Sequence, residues 1–290
     1  MTFSELEQEK CREIDLHTHS TASDGTCTPT ELVTLASSVG IRLLALTDHD
    51  TLSGLAEAQE VGRKSGVEVI AGIELSVDWQ GTDIHMLGYG MEQSGSPIAK
   101  LLDWVQQERV RRNERMVARM AADGVHVTMD ELQRRYPGAV IGRPHLARVL
   151  MEQGRAESVK DAFEKWLNPG RPYYLPRTKV TLKQAAEAIL ASGGVPVLAH
   201  PLQYGFQPDK LEQFAAEFAH IAMGGMEIYY TGYTESQRQQ LAMLAENYHL
   251  FVTGGSDFHG ENRPQIHLGE LEVPRSVGNA LHAYRKETET

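Results

Sequence analysis

Ile14-Asp15-Leu16-His17-Thr18-His19-Ser20, followed closely by Asp24, is the stretch on which the reading of this chain turns. Apolar and small residues alternate there with acidic and imidazole groups, so a β-strand directs His17 and His19 to one face, two residues apart. Two imidazoles in register at the end of a rigid strand can grip one cation, and Asp24 in the loop beyond can reach a second. An isolated His-x-His would serve equally well as a solvated strand edge. Here it has company farther along the chain.

At 290 residues the chain is long enough for one large α/β domain or for a barrel with an inserted subdomain. Its two cysteines, Cys11 and Cys27, fit neither a paired-ligand spacing nor a disulfide framework, which points to the cytoplasm. Residues 1–12 are polar and acidic, neither a secretory signal nor a membrane anchor, and are expected to form a tail. No later stretch reaches membrane-spanning length, so no membrane association is expected. The net charge of -11 would argue against a polyanionic ligand if it were evenly spread. It is not: residues 101–180 carry 15 Lys and Arg against 10 Asp and Glu, a local +5 that leaves the rest at -16. A basic block in an acidic chain points to a phosphate-bearing ligand. Surface pairing such as Glu108 with Arg112, spaced i to i+4, accounts for single arginines. It is less sufficient for Arg109, Arg111, Arg112, Arg115 and Arg119 together.

Strand-like runs recur over residues 14–19, 43–47, 67–75, 84–89, 195–200, 226–230 and 251–255, with helical patterns between most of them. That alternation predicts a mainly parallel sheet, open or closed into a barrel. It breaks between about residues 95 and 179, where helix-like segments follow one another. The first, over residues 97–122, spaces Leu101, Val105, Met116, Val117 and Met120 for an amphipathic helix, and Gly124 suits its end. The expected organisation is therefore a helical insertion over 96–179 within a domain built from 13–95 and 180–290.

Every candidate ligand outside the insertion is expected at or just after a strand's C-terminal end, where parallel β/α folds place their sites. His17, His19 and Asp24 follow the first strand, and His49 follows Leu43-Leu44-Ala45-Leu46-Thr47-Asp48. Glu74 closes Val69-Ile70-Ala71-Gly72-Ile73-Glu74, His85 lies on the next strand, and His200 closes Val195-Pro196-Val197-Leu198-Ala199-His200. Ser256-Asp257-Phe258-His259 adds Asp257 and His259, again two apart. One histidine beside a strand is more often a packing residue, but nine such groups at one end of successive strands make a metal centre. His126, His145, His220, His249, His267 and His282 do not join the pattern. Imidazoles and carboxylates without thiolates suit Mn, Fe or Zn. Asp15 and Asp48, next to candidate ligands, either accept imidazole N–H groups or cap strand ends.

His-Thr-His with the later Asp24, Thr47-Asp48-His49-Asp50, Gly72-Ile73-Glu74, Asp83-Ile84-His85, Ala199-His200-Pro201 and Ser256-Asp257-Phe258-His259 together resemble the polymerase and histidinol phosphatase (PHP) family of metal-dependent phosphoesterases. The resemblance covers nearly the whole chain. It implies an α/β fold, a distorted (β/α)7 barrel with a helical insertion, and a centre of three divalent metal ions, with Mn foremost and Fe or Zn possible. Carried over by residue, His17, His19, Glu74 and Asp257 would hold one ion. Glu74, His85 and His200 would hold a second, and Asp24, His49 and His259 a third, with Glu74 as bridge. A water ionised between the ions then serves as nucleophile, and no separate side-chain base is expected.

Length, insertion and the Gly142-Arg143-Pro144-His145 segment most resemble the 3′,5′-nucleoside bisphosphate phosphatases that also act as 5′-to-3′ exoribonucleases. This implies nucleoside bisphosphates and 5′-phosphorylated RNA as ligands, with no obligate protein partner. Arg143 and Arg177 are candidate clamps for a second phosphate, or surface ion pairs. Tyr136, Trp166, Tyr173 and Tyr174 offer base stacking or core packing. Competing expectations are a histidinol phosphate phosphatase, a non-catalytic platform of the same family, and amidohydrolase chemistry on a related barrel.

Overall fold

Apolar runs too short for helices form the strands, and amphipathic segments between them form the helices that cover them. The computed structural model describes the backbone of residues 3–288 and side chains through residue 281, so the side chain of His282 lies outside the described residues. Seven strands line up in chain order: β1 (Ile14–Thr18), β2 (Leu43–Leu46), β3 (Glu68–Trp79), β4 (Thr82–Tyr89), β5 (Val195–Leu198), β6 (Gly225–Tyr230) and β7 (Phe251–Gly255). A two-residue strand, Val180–Thr181, adds to β3 off this path.

The sheet is a nearly closed barrel. Beyond the ends of β7 and β1, Thr18 bridges Phe258, and the Asp257 N–H donates to the His17 carbonyl at 2.8 Å. This seam needs glycine, because a Cβ on Gly255 would collide with the Cβ and backbone of His17. Leu16, Ala45, Ile73, Leu87, Val197 and Ile228 belong to the core that the strands and flanking helices enclose.

One strand departs from the parallel expectation. β4 runs antiparallel to both β3 and β5. The cause is local: Gln80 and Gly81, alone between Trp79 and Thr82, both have positive φ, as a two-residue hairpin turn requires. His85 is therefore near the start of its strand rather than its end, and the reversal brings it to the pole where the other strands finish.

Reversing β4 also sends the chain to the opposite pole, where Tyr89 pairs with Val195 at the start of β5. The helix Pro97–Ala122 begins there, with Ser96 as N-cap and the Ile98 N–H on the Ser192 hydroxyl at 2.9 Å. It ends at Gly124, which has positive φ. The helices after it, including Met129–Arg135 and Arg143–Glu152, pack on a second core of Met116, Met120, Leu132, Leu146, Leu150 and Tyr173. The first twelve residues, expected as a tail, hold the helix Phe3–Gln8 with Leu6 buried, and Lys10–Cys11 pairs with Val273–Pro274.

Candidate metal centre and anion pocket

All nine candidate ligands meet at one pole of the barrel. Three sets of donor atoms lie within 4.8 Å of one another: His17, His19, Glu74 and Asp257; His19, Asp24, His49 and His259; and His49, Glu74 and His85. His200 joins through its Nε2, 2.9 Å from Glu74 Oε1. The grouping differs from that implied by the resemblance, since His19 and His49 each take part in two sets.

Glu74 is the hub. Its Oε2 faces His17, His19 and His49 at 3.4, 3.2 and 3.0 Å, while Oε1 faces His85 and His200 at 2.8 and 2.9 Å. Burial opposes ionisation of Glu74, but His85, His49 and His17 outweigh it and hold the carboxyl well below its ordinary range. Burial pulls His49 down to about 3, against Glu74 and Asp24. His19 goes up to about 9, because Asp257 and Glu74 overcome its desolvation. Two of the nine, His200 and Asp257, adopt positive φ, as does Asp50 beside His49. Such backbones cost about 1–3 kcal/mol each and persist where surrounding structure enforces them.

The donor set fits divalent cations. His17 Nε2, both ring nitrogens of His19, His49 Nδ1 and His85 Nδ1 are buried with no hydrogen-bond partner among the described residues. Ligands around one ion with bonds of about 2.1 Å lie within about 4.2 Å of one another, close to the span of these sets. Neutral imidazole nitrogens beside carboxylates are the borderline-hard donors that such ions take.

Of the two accounts open for Asp15 and Asp48, the structure takes capping. Asp15 accepts the backbone N–H groups of His17 and Ser256, and Asp48 accepts from Ser20 and Ser23. Both therefore cap strand ends. Orientation falls to Glu227, buried on β6, which lies 2.9 Å from His17 Nδ1 and accepts the His200 backbone N–H at 2.7 Å. A proton on Nδ1 leaves His17 Nε2 unprotonated and aimed at Glu74 and Asp257. Asp257 Oδ2 is held in turn by Tyr230 and Arg263. A lone acid inside the apolar run Met226–Tyr230 is a signal that would have found Glu227; nothing local marks Arg263.

Beside this cluster opens a cavity of about 200 Å³ whose walls include Asp24, His49 and His85 on one side. Arg109, Arg112, Arg143, Arg177 and Lys179 line the other. Arg109 and Arg177 share Asp50, Lys179 pairs with Asp83 at 2.8 Å, and Arg143 stands 3.6 Å from Asp83. Arg112 differs: it is buried, its Nε has no partner among the described residues, and it feels Arg109, Arg143 and Arg177 more strongly than Asp83. Burial, reinforced by those three guanidiniums, pulls its pKa well down. Arg143 lies over the rings of Phe163 and Tyr174, and Tyr174 lines the cavity. Tyr173 is buried against Trp166, and Tyr136 packs on His145, whose Nδ1 accepts the Gly142 N–H. Those three aromatics are packing residues.

The chain is similar to known proteins over nearly its whole length. The chain is 35% identical over 95% of its length, and 95% of the relative's, to the 5'-3' exoribonuclease Rnm of Escherichia coli. It is 32% identical to a 3',5'-nucleoside bisphosphate phosphatase of Chromobacterium violaceum, over 89% of this chain and 91% of that one. A solved structure from Bifidobacterium adolescentis, assigned as a metal-dependent phosphoesterase, superposes with TM-score 0.85. It is 30% identical and covers 93% of this chain and 96% of its own. No described helix is long and apolar enough to cross a membrane. With the PHP domain matched over residues 15–227, the chain belongs to the PHP family of metal-dependent phosphoesterases.

Proposed function

We infer that this chain is a cytoplasmic phosphoesterase that removes the 3′-phosphate from 3′,5′-nucleoside bisphosphates and releases 5′ nucleotides from 5′-phosphorylated RNA. The observation that carries this reading is Arg112, which forms no ion pair among the described residues and has only the more distant Asp83 to oppose its charge, buried in an arginine-lined cavity that opens directly onto the carboxylate and imidazole cluster. A cation without a counter-ion is costly to bury, and a phosphate dianion removes that cost.

Three divalent ions, Mn foremost, would be held by His17, His19, Asp24, His49, Glu74, His85, His200, Asp257 and His259. The two oxygens of Glu74 face different imidazoles, which supports a bridging role. When bound, such ions neutralise charge on a phosphoester and lower the pKa of water toward neutrality. The protein's own part is orientation. Glu227 fixes the tautomer of His17, and Tyr230 with Arg263 fixes one oxygen of Asp257. Across the cavity, Arg112, Arg143 and Arg177 would hold the 5′-phosphate, with Lys179 beside them. Tyr174 is placed to stack on a base.

One arrangement then serves both activities, because the ester on the 3′-oxygen lies over the ligand cluster whether it ends in phosphate or continues into RNA. Residues 96–179 act in this reading as the substrate-recognition unit of the barrel. Protein loaded with Mn is expected to release phosphate from adenosine 3′,5′-bisphosphate and mononucleotides from 5′-phosphorylated RNA, and to leave 5′-hydroxyl RNA largely intact. Activity confined to histidinol phosphate would replace this reading.

A further inference from the structure

Asp50 joins the two walls of the cavity. It follows His49 directly, and its N–H donates to the Glu74 carbonyl at 3.0 Å. Its carbonyl accepts the Gln106 amide at 3.0 Å. One carboxylate oxygen accepts the Ser76 N–H at 2.9 Å. The other accepts from Arg109 Nε at 2.6 Å and from Arg177 at 2.9 Å. Every polar group of Asp50 is thus used: two face β3, and two face the arginine-bearing segments. The side chain is fully buried, and φ is 53°, a backbone that Asp and Asn tolerate best among residues with a Cβ.

These bonds make Asp50 a rigid spacer between His49 and Glu74 on one side and Arg109 and Arg177 on the other. Its charge also matters. By opposing Arg109 and Arg177, it lessens the positive field on their side of the pocket and leaves Arg112, which has no ion pair among the described residues, as the cation with most to gain from an anion. We propose that Asp50 is the positioning residue that sets substrate span, selecting esters that carry a second phosphate at a fixed distance from the bond to be cleaved.

The inference rests on the bisphosphatase reading and deepens it. Asp50→Asn keeps a residue suited to this backbone and removes the charge together with one acceptor oxygen, setting an NH2 donor against either the Ser76 N–H or the two guanidiniums. Its ratio of kcat/KM for adenosine 3′,5′-bisphosphate over 4-nitrophenyl phosphate is expected to fall at least tenfold. Metal content by elemental analysis is expected to match wild type. A general loss of structure would lower both substrates together and leave the ratio unmoved, which overturns the proposal, as does a variant that keeps the wild-type ratio. Wild-type protein with no preference for the bisphosphate removes the parent reading instead. Calorimetry of AMP binding to the metal-stripped proteins then decides separately: weaker binding by D50N, against the gain in net positive charge, supports the spacer, and equal or tighter binding removes it.

Discussion

The two walls of the cavity make opposite errors of charge. On the barrel side Glu74, Asp24 and Asp257 crowd among imidazoles, several of whose nitrogens lack hydrogen-bond partners among the described residues; on the helical side guanidiniums crowd around Arg112. Neither wall is balanced by its own groups, and each is completed by a ligand of the opposite kind, cations for one and a phosphate for the other. The barrel wall is built from strand ends tied by backbone bonds, whereas the helical wall reaches the site through side chains gripping Asp50. The first wall is suited to chemistry and the second to choice of substrate.

The sharpest test of this division is Glu74→Gln, which removes the charge shared by five imidazoles. Because metal ions contribute several kcal/mol to such reactions, kcat/KM should fall by about a thousandfold or more on every substrate, with metal content falling alongside. A variant that keeps three ions and full turnover would erase the distinction between the walls. Arg112→Met addresses the other wall. Loss of a charged hydrogen-bonding group should lower kcat/KM for the bisphosphate by about 100-fold, and much less for an aryl phosphate.

Glu227→Gln probes how the barrel wall is held. Loss of a buried partner of this kind typically costs 10–100-fold in metal affinity, so titration of the stripped protein should show a deficit of about that size. An unchanged affinity would mean that His17 is oriented by packing alone. The smallest effect concerns stability and has an unusual sign. Urea unfolding without phosphate should find Arg112→Met more stable than wild type by about 1 kcal/mol, since an uncompensated buried cation has gone. Saturating AMP should stabilise wild type by about 2.7 kcal/mol at 100 times its Kd, and the variant much less.

The seven-stranded sheet was readable because its strands are apolar runs bounded by polar or turn residues, and most of the candidate ligands were readable because they terminate those runs; Glu74 and His85 instead lie within β3 and β4. The direction of β4 was also written locally, in the two residues Gln80 and Gly81, but a count of alternating strands and helices passes over it. Asp50 and Arg112 were harder. Their significance arises only when the insertion is laid against the barrel, and nothing in Thr47-Asp48-His49-Asp50 tells that two arginines arrive from residues 109 and 177. Asp15 and Asp48 were legible only as two alternatives, and capping is the one realised: Asp15 accepts two backbone amides, and Asp48 one amide with the Ser20 and Ser23 hydroxyls.

Because the helix Pro97–Ala122 starts at the far pole, it acts as a strut that must climb about 18 Å, at 1.5 Å per residue, before Arg109 meets Asp50. Its length is thereby a gauge. One extra residue below Arg109 would swing that side chain through about 100° and out of the cavity, whereas an added turn of about four would restore the face but overshoot by about 6 Å. Related chains that lengthen or shorten this strut are therefore expected to measure out substrates of different size over an unaltered set of strand ends.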